Sequence, residues 1–153
     1  MPIFSEIINE EHAAEIASWI DEKLVTYSVE NNPYNIKLLI RGNKNDFTPE
    51  SFWNVCDKQA NTVLIMKVEN TDEILGGYNP IERDKTFKYW RNCNNSFIFS
   101  LKNNTIQSSI LSRVKDTDYA IYCDPSYGPC FGGGFDICVV NNFVQCWCRH
   151  SSY

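Results

Sequence analysis

Histidine is almost missing from this chain: His12 and His150 are the only two in 153 residues, and methionine is equally scarce. A Cys–His or Ser–His nucleophile therefore has two places to find its base, one on an opening helical stretch and one in the final residues. Clustered positive charge is missing too. Fourteen Lys and Arg stand singly against 19 Asp and Glu, for a net charge of −5. That balance argues against a nucleic-acid partner or an anionic membrane surface, both of which want Lys/Arg clusters. No apolar run approaches the roughly 18 residues of a membrane span, so direct membrane insertion is not expected. The opening Met-Pro-Ile-Phe-Ser-Glu has neither the basic start nor the apolar core of a signal peptide. The expectation is an intracellular, cytoplasmic protein whose sequons at Asn94 and Asn103 meet no glycosyltransferase.

What is present is a hydrophobic fraction of 43% with 14% aromatics, which excludes a disordered chain, and a length of 153 residues, which suits one domain with its own core. Seven cysteines, an odd number without a leader, predict free thiols in a reducing compartment. A redox-active thiol needs exposure and an electropositive neighbour. Cys93, beside Arg91, and Cys130, in a Gly-rich stretch, are the candidates.

The chain is organised around residues 62–80. An apolar, β-branched run opens it, Asn70-Thr71-Asp72 breaks it, and Ile74-Leu75-Gly76-Gly77-Tyr78 resumes it. Runs this short suit strands covered on both faces, and the polar break makes the pair a β-hairpin. Glycines inside a strand mark a bulge or a close approach of backbones.

Ahead of the hairpin, residues 5–24 predict a helix. Asn9 is its N-cap, Glu10 and Glu11 sit at the positive end of the dipole, Ala13, Ile16, Ala17, Ile20 and Leu24 form one stripe, and Lys23 falls in the last turn. A connector follows to residue 34, with a turn at Asn31-Asn32-Pro33. Residues 35–41 alternate Ile36, Leu38, Ile40 against Lys37, Leu39, Arg41 and predict a strand with one buried face. Thr48-Pro49-Glu50 reads as the capped start of a short helix ending near Asp57–Asn61, with Phe47 and Phe52 as a hydrophobic staple.

Behind the hairpin, residues 81–95 read as irregular with Tyr89 and Trp90 folding back. Residues 96–101 read as a strand followed by a turn, 106–115 as irregular or strand-like, 119–123 as a strand and 127–134 as a loop. Residues 135–140 and 143–149 read as a hairpin across Asn141-Asn142. Strands outnumber helices and show no βαβ rhythm. The fold class is therefore α+β, mainly β, with antiparallel sheets.

Motifs for chemistry are weak. Gly132-Gly133-Gly134 suggests a phosphate cradle, but a phosphate loop feeds a helix and a strand pattern follows here; a tight loop needing positive φ is the better account. Cys146, Cys148 and His150 alternate on one strand face without the second ligand pair that zinc usually takes, and they read as small buried hydrophobes. Asp72 and Glu73 fall in the hairpin turn and read as solvated. No cofactor or metal is implied.

Three segments taken in order carry more. They are Lys37-Leu-Leu-Ile-Arg-Gly42 with Asp46-Phe47-Thr48 and Phe52; Glu73-Ile-Leu-Gly-Gly-Tyr78; and Ser126-Tyr-Gly-Pro-Cys-Phe-Gly-Gly-Gly-Phe-Asp136. With Ser96–Leu101 between them, the set resembles the TLDc domain over residues 35–153, the opening helix fitting an N-terminal extension. The resemblance implies two antiparallel sheets packed as a β-sandwich flanked by short helices. It also implies a non-catalytic interaction module: members protect cells against oxidative stress, and several bind subunits of the vacuolar proton pump (V-ATPase) and regulate its assembly. The matching positions are Arg41, Glu73, Gly76, Gly77, Tyr78, Gly128, Pro129, Phe131, Gly132 and Asp136. Most read as architectural. Arg41, Glu73 and Asp136 form a buried polar network or a partner-facing patch, with the network favoured. Phe135 stands where the family usually carries histidine. The chain also stops at Tyr153, where the family pattern usually continues into a further strand, so an exposed sheet edge or core face is expected. The alternative function is a thiol-dependent redox protein or peroxide scavenger.

Overall fold

A computed structural model describes residues 5–42, 47–86, 88–104, 106–140, 145–148 and 152–153. Two helices and nine strands are found among them: α1 (Glu10–Ile20), α2 (Pro49–Cys56), β1 (Thr62–Lys67), β2 (Ile74–Asn79), β3 (Tyr89–Arg91), β4 (Phe97–Leu101), β5 (Ile110–Arg113), β6 (Ile121–Cys123), β7 (Cys130–Phe131), β8 (Ile137–Val140) and β9 (Gln145–Cys148). They form a four-stranded sheet in the order β1-β2-β4-β5 and a five-stranded sheet in the order β3-β6-β7-β8-β9. Every pairing is antiparallel. This is the mainly-β, two-sheet sandwich with flanking helices that the sequence predicts.

The alternation of side chains along β1 sorts its residues between two cores. Leu64 and Met66 face the second sheet and pack in the inter-sheet core with Ile98, Ile121, Phe131, Ile137 and the α2 residues Phe52, Trp53 and Cys56. Val63 and Ile65 face the other way and pack beneath α1 with Ile16, Trp19, Tyr78, Phe97 and Leu101. The first sheet is thus covered on both faces, by the second sheet and by α1, which explains why its strands read as continuous apolar runs. The outer face of the second sheet carries a third, smaller cluster of Cys130, Cys138 and Val140 with Tyr122, Tyr127 and Phe135 against it.

Both helix starts follow the sequence. Asn9 caps α1 and makes a capping box with His12, and Thr48 caps α2 and makes one with Ser51. The far end of α1 does not follow it. The helix stops at Ile20, one turn short, so Leu24 leaves the stripe and is fully exposed, and Lys23 lies beyond the last turn. The Ser18 hydroxyl accepts the Tyr27 amide at 2.7 Å and the Asp21 carboxylate accepts both the Tyr27 and Tyr34 hydroxyls. These contacts fold the connector back across the helix end and leave the helix no room to continue.

The strand predicted at 35–41 does not form: that stretch has no regular secondary structure. Among the described residues, none of 35–42 enters a backbone hydrogen bond. Alternation supplies the period of a strand but not a neighbour to bond to. Two strands appear where irregular chain is predicted. β3 pairs with β6 through Trp90, which stacks on Tyr122 at 4.7 Å, and β7 pairs between β6 and β8 inside the Gly-rich stretch. The predicted turn at Asn141-Asn142 lies outside the described residues.

Candidate functional site

The three charged motif residues do not converge. Arg41 is half-buried and forms an ion pair with Glu6, ahead of α1. Glu73 closes the β1–β2 turn with its backbone: its amide donates to Thr71 Oγ1 at 3.1 Å and its carbonyl accepts from Val68 at 2.9 Å. Asp136 lies in the interior, where its carboxylate accepts the Ser152 amide at 3.0 Å. Arg41 and Glu73 pair neither with each other nor with Asp136. The single network favoured from the sequence is therefore replaced by three separate fastenings, one on each of three loops.

The other motif positions are structural in the same sense. A side chain at Gly76 would run into the Leu64 carbonyl oxygen and the Phe99 ring, and one at Gly77 into the Phe131 ring at 2.7 Å. Tyr78 is buried beneath α1 and its hydroxyl donates to Asn61 Oδ1 at 3.1 Å. The Gly128 amide donates to Val139, and the Pro129 carbonyl accepts from the same residue. Gly132 has φ +85°, and a Cβ there would strike the Asp136 carboxylate. The Gly-rich stretch leads into β8 and no helix faces it, so the tight-loop reading holds at Gly132. Phe135 adopts φ +55° and packs among Trp90, Tyr122 and Tyr127.

The thiols are not placed as the redox reading needs. Cys93 is only 6% exposed, and the neighbouring Arg91 guanidinium reaches instead for the Glu82 carbonyl at 3.4 Å. Cys130 is fully buried and bonded to Cys138, its register partner on β8. This overturns the expectation that all seven cysteines are free. Spacing could not show it, because the pairing depends on β7, a strand absent from the sequence reading. Cys56 and Cys123 are also free and buried, and burial pushes the Cys56 thiol above its ordinary pKa. A reactive thiol needs exposure, and all five of these sulfurs are buried.

His12 is equally committed. Its Nδ1 accepts the Asn9 amide at 3.3 Å and its Nε2 bonds the Lys102 carbonyl at 2.7 Å, so both ring nitrogens are engaged in holding the start of α1. His150 lies outside the described residues. β9 carries Cys146 and Cys148, and among the described residues no three His, Cys, Asp or Glu gather as a metal site. No described helix is long and apolar enough to cross a membrane.

Two features went unread in the sequence. Ser152 and Tyr153 are buried. The Ser152 carbonyl accepts Lys115 and Asp116 amides, and the Tyr153 hydroxyl bonds Ser96 Oγ at 2.6 Å and the Ala120 carbonyl at 2.9 Å. Arg83 is also buried, its guanidinium over the Phe52 ring at 5.7 Å, although nothing in the surrounding Ile-Glu-Arg-Asp marks it as an interior residue.

The body is two antiparallel sheets whose motif residues fasten loops and backbones together. The family model for the TLDc domain matches residues 1–153, the whole chain, and the protein belongs to the TLDc domain family. The match takes in the opening helix, which the sequence reading set apart as an extension. No curated protein matches the chain.

Proposed function

We propose that this protein is a non-catalytic TLDc interaction module that binds a subunit of the vacuolar proton pump and serves in protection against oxidative stress. The family match over the full length carries this reading. The site geometry supports it, since the motif residues fasten the fold and leave recognition to the surface. The surface suited to recognition is the connector after α1 together with residues 35–42. Leu24 and Val25 are almost wholly exposed, Leu38 and Leu39 lie 42% and 36% open, and among the described residues none of 35–42 enters a backbone hydrogen bond. Such a segment can pair with a strand of the partner, with backbone bonds for affinity and apolar side chains for specificity.

Reconstitution with purified pump subunits tests it. The wild-type chain is expected to co-purify with a pump subcomplex and to alter its assembly. The double variant Leu38→Asp, Leu39→Asp should weaken that binding by about tenfold or more, since it would bury unpaired charge at the contact. Neither binding nor an effect on assembly by the wild type would defeat the proposal.

A further inference from the structure

The outer face of the second sheet carries a connected row of aromatic rings. Trp90 on β3 and Tyr122 on β6 are register partners, so they share that face, and their centroids lie 4.7 Å apart. Trp90 also meets Tyr119 at 5.8 Å, and Tyr122 meets Tyr127 at 6.0 Å. Phe135 fills the angle between them, 5.7 Å from Trp90 and from Tyr122 and 6.0 Å from Tyr127. The buried bond between Cys130 and Cys138, with Val140, forms the floor against which Tyr122, Tyr127 and Phe135 pack. None of the five rings is buried: Tyr119 is 46% exposed and the other four are half-buried.

The spacing decides what such a row can hold. Centroids 4.7–6.0 Å apart belong to rings in direct contact. They leave no room between them for the methylated ammonium that an aromatic cage encloses. What the row offers instead is a continuous apolar surface edged with hydroxyls. Tyr122 donates its hydroxyl to Asp124 at 3.3 Å, while among the described residues those of Tyr119 and Tyr127 bond no protein group.

Charge sets the second condition. Asp118, beside Tyr119, is exposed, and its carboxylate accepts the Asn92 side-chain amide at 2.8 Å, which holds it at the Trp90 end of the row. Among the described residues no cation pairs with Asp118 or Asp124. Arg91 falls on the opposite face of β3 with its register partner Ile121. An aromatic surface with carboxylates beside it repels the phosphates of nucleic acid. It suits a ligand that is apolar, rich in free carbonyls and cationic at one end. A polyproline II helix has the first two properties, with rings that stack on aromatic faces and carbonyls that make no internal bonds. From Tyr119 through Trp90 and Tyr122 to Tyr127 the steps are 5.8, 4.7 and 6.0 Å. At about 3.1 Å per residue, about five residues of such a helix cover that run.

We propose that the row of Tyr119, Trp90, Tyr122 and Tyr127, with Phe135, is a docking surface for a proline-rich segment of a partner protein, which sets an arginine or lysine on Asp118. The surface uses no residue of the connector or of 35–42, so it stands or falls apart from pump binding.

Fluorescence anisotropy of a labelled peptide, five consecutive prolines flanked by arginines, titrated with the whole chain, tests this. Saturable binding is expected, weaker by about tenfold or more when alanines replace the prolines or when Trp90→Ala removes the central ring. Asp118→Asn, a change at the surface, should weaken it by about threefold, the worth of one exposed ion pair. The double variant Leu38→Asp, Leu39→Asp should bind the peptide as the wild type does. Amide chemical shifts of the wild-type chain, a readout that needs no variant, should move on titration around Trp90, Tyr119, Tyr122 and Tyr127. No saturable binding at millimolar peptide, equal affinity for the alanine peptide, an unchanged affinity in Asp118→Asn, or shifts centred elsewhere would each overturn the proposal. So would tighter binding of a trimethyllysine peptide or an oligonucleotide, which would assign the row to another class of ligand.

Discussion

Gly76 shows how little space a single residue of this protein has to give. It pairs with Ile65 and lies between the Leu64 carbonyl and the Phe99 ring, and neither is the free end of a flexible chain. Gly76→Ala should therefore behave as an overpacked core substitution and cost about 3 kcal/mol, at the upper end of what such insertions usually cost. Urea unfolding would read this as a lower midpoint at unchanged slope. The reason for this glycine, close approach of backbones, could be read from the sequence because a glycine among β-branched and aromatic residues has few other uses. At Gly132 the sequence carried the reason as well, a positive φ. The collision partner, Asp136, was visible only once the loop had closed. Cys130 was not legible at all. Its bond to Cys138 needs two strands in register, and one of them is two residues long with no periodicity to detect.

Among the elements, α2 is held less by its own length than by what grips its C-terminal end. Lys58 there pairs with Asp84, which also accepts the Thr86 hydroxyl and amide, each within hydrogen-bond range. The Lys58 ammonium and these donors hold the Asp84 carboxyl down at about 2, well below the ordinary range. A depressed carboxylate stabilises the fold above its unfolded pKa near 4, and the contribution is lost as pH falls from about 4 through about 2. Asp84→Asn should remove that part of the acid sensitivity. Denaturation midpoints measured between pH 6 and pH 2 should fall less steeply for the variant than for the wild type. The same scale explains the missing strand at 35–41. Its sequence alternates, while β1 is a continuous apolar run, yet β1 has β2 beside it and residues 35–42 have no strand among those described. Periodicity reports the pleat of a strand, and pairing is a property of two segments.

At the scale of the molecule, Tyr153 ties the start of β4 in one sheet to the start of β6 in the other. Its hydroxyl bridges Ser96, just before β4 of the first sheet, and Ala120, just before β6 of the second, while its ring packs edge-on to Phe131 at 6.2 Å. Tyr153→Phe keeps the ring and removes the bridge, leaving a buried hydroxyl and a buried carbonyl without that partner. The loss should be about 1–3 kcal/mol, seen as a lower denaturation midpoint with near-native circular dichroism. A Tyr153→Phe protein as stable as the wild type would show that the bridge contributes nothing.

The sequence by itself determined the mainly-β class with antiparallel sheets, the capped starts of both helices and the central hairpin. Each depends on residues close in the chain: a cap and its third neighbour, an alternation, a polar break between apolar runs. Tertiary structure alone decided that Arg41, Glu73 and Asp136 serve separate loops, that Cys130 meets Cys138, that Arg83 lies inside and that, among the described residues, no carboxylate pairs with it and none of 35–42 enters a backbone hydrogen bond. Those outcomes depend on which distant surfaces come to rest against one another, and a buried charge or an open strand edge is defined only by what has closed around it.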